Sequence, residues 1–378
     1  MLGIISAPSW TEGATSVIVI NADGPNEGFN DPTPIPPVPG NPGITIGQQR
    51  QHAFLAAAQA WAGAVNSFVP IRITAKMDPL QCAPSTGLLG SAGPVSAFRD
   101  FPNAPISSTW YTSALANSLA GTDLDPTQDD IGATFNSSID NDPNCLTGMS
   151  WSYAIGDTST QPGTFLFFDT VLHEIGHGLN FITFVDTTSG QKFLGYNDIF
   201  MTHLQDQSTQ RLWTAMSNTE RLASAINTGN LLWNGPEANA CGQLLSINGL
   251  TNGQIQLYAP NPLEPVSSIS HWTTSLTPDE LMEPIATPTS NALVTHGLLR
   301  DLGWVLTVPS CLNTNGNINV DDDRDGVTES QGDCNDDNPR MNPGAIDIPN
   351  NGIDENCDGF DATGSGTSSG SSAACECR

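Results

Sequence analysis

The segment TFLFFDTVLHEIGHGLN (164–180) constrains the fold more than any other part of the chain. It is apolar along most of its length yet carries His173, Glu174 and His177, so it reads as a buried helix with one chemically active face. Histidines four apart on a helix point the same way, because 3.6 residues make a turn. Both imidazoles can then reach one ion at about 2.0–2.1 Å. Glu174 lies beside that face, where it is poorly angled as a further ligand. It is well placed to take a proton from a water that the metal acidifies. The ordinary alternative is two histidines on a solvated helix, and the apolar flanks argue against it. Asp169 and Thr170 are the expected caps.

A third ligand has to come from elsewhere. His52 and His296 fall inside amphipathic stretches and read as packing or surface residues. His203 in NDIFMTHLQ, Asp198 in the same stretch, and His271 in a turn-rich segment eleven residues before Met282 all remain candidates.

Around this helix the pattern is that of an α+β protein. SVIVI (16–20) reads as a buried strand, followed by a Pro/Gly-rich loop over 31–43. Residues 46–68 place Phe54, Ala58, Trp61 and Val65 at helical spacing, and 69–77 alternate as a half-buried strand does. We expect a short helix over 109–119 and a strand over 131–137. Helical signals follow near 196–205 and 218–227, then a strand and proline turn over 254–266 and a closing helix over 292–304. No run approaches the roughly 20 apolar residues of a membrane-spanning helix.

Charge narrows the partners. Eleven basic residues against 39 acidic ones give a formal net charge of −28. Such a surface repels phosphate polymers and anionic lipid, which excludes nucleic acid and favours cations. The eight cysteines include no CxxC pair, so they read as disulfides of an oxidising compartment. We expect Cys82 with Cys145, Cys241 with Cys311 and Cys334 with Cys357, although spacing alone does not dictate connectivity. Residues 1–10 lack the charged start and apolar core of a signal peptide, so export is inferred from cysteines and composition.

HEIGHGLNF, then SHWTTSLTPDELMEPI, then GLLRDLGW together resemble the leishmanolysin-type branch of the metzincin metalloproteases. The likeness extends loosely over about 15–305. It implies a metzincin-like catalytic domain: a twisted mixed sheet, an active-site helix and an irregular C-terminal subdomain. It also implies that His173, His177 and His271 hold Zn2+, that Glu174 is the general base, and that Met282 lies beneath the metal as a structural residue. The family usually has glycine three residues after the second histidine, where the chain leaves the helix; here Asn180 stands there. Asparagine tolerates a left-handed backbone best among the other residues, so the turn can survive. The family also presents an edge strand to which an extended peptide substrate adds, and IGATFNS (131–137) is our candidate for it.

Beyond about 310 the composition shifts. Asp321 to Asp361 holds 13 acidic residues and two arginines, with too few apolar residues for a core. Asp321, Asp323 and Asp325 alternate ahead of Gly326 as in the opening of a calcium loop. Gly332 occupies the twelfth position, where an EF-hand needs glutamate. The continuation is similar to repeat-type metal-binding modules of secreted bacterial proteins. That likeness implies Asp333, Asp336, Asp337, Asp354 and Asp358 as further Ca2+ ligands and Cys334–Cys357 as a staple. Residues 362–378 read as a flexible Gly/Ser tail. Its Cys375 and Cys377 are faintly similar to bacterial C-terminal sorting segments, which would associate the protein with a cell surface.

The expected organisation is a protease domain over 1–310, with subdomains over about 15–181 and about 182–310, an acidic module over 311–361, and the tail. The expected function is that of a secreted or surface-bound bacterial zinc endopeptidase, monomeric, acting on protein or peptide substrates. Two alternatives are a calcium-stabilised binding or adhesion protein on a protease-like scaffold, and a zinc hydrolase of non-peptide amides.

Overall fold

Strand alternation and helical periodicity build a mixed α+β structure, seen in a computed structural model. It describes residues 3–5, 15–156, 163–245, 248–287, 289, 291–312, 325–328, 331, 339–345 and 355–357. The chain divides into two units: the described residues up to Leu312 belong to the larger and those from Asp325 onward to the smaller.

The larger unit is centred on a five-stranded sheet of β1 (Gly3–Ile5), β2 (Val17–Asn21), β3 (Ile71–Asp78), β4 (Gly90–Pro94) and β5 (Ile131–Asn136). Their spatial order is β1-β2-β3-β5-β4. β2, β3 and β5 run parallel, whereas β1 and β4 are antiparallel to their neighbours. β3 buries Ile71, Ile73, Ala75 and Met77 at alternate positions, as its pattern requires.

Two helices cover this sheet. In α1 (Ile46–Ala64) the Thr45 side chain caps Gln48 N–H, and Ala53, Phe54, Ala57, Ala58 and Trp61 form the buried face. After α2 (Ser113–Ala120) comes α3 (Phe167–Gly178), which carries the histidines. Trp61 Nε1 donates to Leu172 O at 2.9 Å, tying α1 to α3. Phe29, Phe54, Phe135, Trp151 and Phe167 pack edge to face between helices and sheet.

From Phe181 onward the unit is built of short pieces. Leu204–Asp206 pairs with Arg211–Leu212 and Leu231–Trp233. α4 (Asn218–Ser224) opens on a Ser217/Glu220 capping box. α5 (Pro236–Leu245) packs on α6 (Leu293–Leu302). The Asp301 carboxylate accepts from Trp233 Nε1, Glu237 N and Ala238 N, so α6 caps α5. Cys82–Cys145 and Cys241–Cys311 are disulfides, and Cys357 is disulfide-bonded too. Cys334 lies outside the described residues. No helix among those described is long and apolar enough to cross a membrane.

Several expectations need correction. Residues 109–112 are a strand, and α2 begins only at Ser113. Helical structure within 196–205 is confined to a short 3-10 turn at Phe200–His203. Leu166, not Asp169 or Thr170, occupies the N-cap of α3, and Thr170 Oγ1 instead donates to Leu166 O. β5 is not an edge strand, because β3 and β4 flank it on both sides. The edge beside α3 is β4, whose GSAGP text reads as a turn because none of its side chains is large.

In the smaller unit Asp325 Oδ1 accepts from Val327 N at 2.8 Å, and Gly326 takes a φ of 98° that suits glycine. Asn342 donates through Nδ2 to Asp325 Oδ2 and through its backbone N–H to Glu355 O. Asp321, Asp323, Asp333, Asp336, Asp337, Asp354 and Asp358 lie outside the described residues.

Candidate metal centre

α3 places His173 and His177 one turn apart, and a loop from the second half of the unit brings His271 to them. His173 Nε2 lies 3.1 Å from His271 Nε2 and 3.2 Å from His177 Nε2. The second nitrogen of each ring faces a carbonyl: His173 Nδ1 to Leu281 O at 2.7 Å, His177 Nδ1 to Phe181 O at 2.9 Å, His271 Nδ1 to Ser267 O at 2.7 Å. A carbonyl can only accept, so each Nδ1 carries the proton. In the neutral rings every Nε2 is then a bare lone pair, and three of them converge on one point. Three acceptors at this spacing repel unless a cation lies among them.

A proton is a poor candidate for that cation. Burial lowers the pKa of all three rings: His177 falls to about 3, and His271 is pushed well below its ordinary value. A divalent metal meets the need, since neutral imidazoles with Nδ1–H tethered to the protein are its usual donors. Among the described residues these three form the cluster able to hold a metal.

The turn after the helix is a Schellman motif. Phe181 N–H donates to Gly176 O and Asn180 N–H to His177 O, both at 3.1 Å, with Asn180 at φ 95°. Asn180 Oδ1 accepts from Thr112 N, which anchors the turn to the 109–112 strand. This geometry delivers the Phe181 carbonyl to His177.

The loop ligand is braced from several sides. Tyr258 N–H donates to His271 O, and Trp272 N–H to Met282 O. The fully buried Met282 lies against the helix, where a Cβ at Gly176 would come within 2.6 Å of its sulfur. Glu280 accepts from Met282 N, Thr295 N and Thr295 Oγ1, and burial raises its carboxyl to about 7. Sequence reasoning did not single out Gly176 or Glu280. A glycine in mid-helix was the available signal for the first.

Glu174 sits beside the triad and is 8 % exposed. Burial pushes its carboxyl up to about 8, against the opposing effect of a hydrogen bond from Ala92 N–H. A neighbouring divalent cation would draw that value down again. Of the alternative ligands, His203 stacks on Trp233, and Asp198 accepts from Thr183 Oγ1, Phe184 N and Met201 N. Neither joins the triad. His52 and His296 lie on α1 and α6.

Residues 333–362 match the family Cu-binding_MopE, described as "Putative metal-binding motif". No curated protein and no solved structure matches the chain. The histidine triad and this motif together indicate metal binding in the protein.

Proposed function

We propose that the chain is an exported zinc endopeptidase of metzincin type. The observation that carries this reading is the convergence of three carbonyl-tethered imidazoles with Glu174 beside them. Zinc, when bound there, would supply Lewis acidity, polarising a carbonyl and lowering the pKa of water toward about 7. His173, His177 and His271 would hold the ion and leave a further position open to water or substrate. Glu174 accepts the proton of the attacking water and delivers it to the leaving amine, a contribution of roughly 10²–10⁴-fold.

β4 is suited to align the substrate. Asn136 N–H donates to Leu89 O and Val95 N–H to Asp130 O. By the alternation of an antiparallel ladder, Gly90 and Ala92 therefore turn their backbone groups away from β5. An extended peptide can add there through main-chain hydrogen bonds, and β4 has no large side chain to obstruct it. The disulfides favour an extracellular setting.

For the acidic region we favour Ca2+. The matched family carries copper in its name, but residues 333–362 contain no histidine and offer mainly carboxylate and amide oxygens, donors for a hard cation. That motif also supports the second reading, a calcium-stabilised surface-binding protein. Metal analysis paired with casein cleavage separates the two. We expect one zinc per chain and cleavage lost with chelator. Glu174→Ala should retain zinc and lose roughly 10³-fold in turnover. A zinc-loaded wild type that cleaves neither casein nor gelatin would favour the binding protein.

A further inference from the structure

Glu174 is bordered on one side by the histidines and on another by β4, and the second border is unusually close. A Cβ built at Gly90 would lie 2.9 Å from Glu174 Cγ, 3.0 Å from Oε1 and 3.1 Å from Cδ. Those three atoms are its nearest neighbours. The backbone at Gly90 does not take a left-handed φ, so conformation alone does not require glycine there. The space beside Glu174 does. Gly90 is also a position whose backbone groups face away from β5.

We propose that β4 is the positioning element of Glu174, with the missing side chain of Gly90 making room for the carboxylate. The proposal rests on Glu174 being the proton carrier of the preceding section. An added methyl would meet the end of a flexible side chain rather than backbone. The fold should therefore yield cheaply, and the yielding group is Glu174 itself. Gly90 thus acts on the reaction through the carboxylate without touching substrate.

The test compares the zinc-loaded full chain carrying Gly90→Ala, Glu174→Gln or both with wild type. Gly90→Ala should keep its zinc and melt within about 3 °C of wild type. Its kcat on a casein-derived fluorogenic peptide should fall roughly 100-fold, the scale of a displacement near 1 Å. KM should change by less than about threefold. The double variant should be no slower than Glu174→Gln alone. A crystal structure of Gly90→Ala supplies a readout independent of turnover, and the Glu174 carboxylate should have moved away from residue 90. An unmoved carboxylate, an undiminished kcat, or an equal loss in both backgrounds overturns the proposal. So does failure of the variant to fold, because backbone rather than Glu174 would then be the obstacle. If the wild type cleaves nothing, the protease reading fails, while the crystal structure still decides whether Gly90 places the carboxylate.

Discussion

Two regions of the larger unit supply the three histidines of the proposed metal site, and they reach the same point by different physics. α3 delivers His173 and His177 through its own periodicity, so their relation follows from the helix having formed. The 267–295 segment has no such repeat. His271 is held by Ser267 O, by Tyr258 N–H and, through Trp272 and Met282, by the buried carboxylate of Glu280. A helix ligand needs its helix; a loop ligand needs many buried bonds to survive together.

Ligand removal should hide that difference. His177→Ala and His271→Ala should each weaken zinc by roughly 100-fold or more, read by competition with a chromogenic chelator. Full zinc occupancy in His271→Ala would sever the loop from the site.

Removing support should expose the difference. Glu280→Ala leaves Met282 N, Thr295 N and Thr295 Oγ1 without their acceptor, and should cost about 3 kcal/mol in urea unfolding and weaken zinc as well. The helix offers a contrasting buried carboxylate, since Asp169 Oδ2 has no hydrogen-bond partner. Burial raises Asp169 to about 6. The folded state therefore holds this proton more tightly than the unfolded chain does. That contribution to stability is lost as pH rises from the unfolded value near 4 through about 6. Asp169→Asn should accordingly gain on wild type between pH 4 and 7, by about 1–2 kcal/mol after allowance for partial solvent access. A variant that tracks wild type at every pH would show that the carboxylate is not paying for its burial.

The smallest effect is expected where helix and loop chemistry meet. Asn180→Gly relieves a positive φ but loses the bond from Thr112 N–H, and the balance should be a loss of about 1 kcal/mol. A gain would mean that the turn needs only its backbone.

The same contrast explains what could be read from the sequence. α1, α3, β3 and β5 declared themselves because a buried face repeats at a fixed period. β4 did not, since Gly, Ser, Ala and Pro carry turn signals whatever the ladder does with them. α5 was missed because PEANACGQLL has too little apolar periodicity; Asp301, far along the chain, caps it. The 109–112 strand merged with the helix that follows it. In the site, His173, Glu174 and His177 followed from spacing. His271 and Met282 came only from a resemblance, because no local rule reports which carbonyl will meet a ring nitrogen 108 positions away, as Leu281 O meets His173.

The three carbonyl tethers have an ecological side. Under the proposed function they make metal supply a folding variable, for a cation at a thousand times its dissociation constant would add about 4 kcal/mol to stability. Copies that lose the ion should open first and become the best substrates for loaded neighbours. Incubating chelated with loaded protein should then clear the chelated fraction selectively, so that the surviving population tracks the zinc around it.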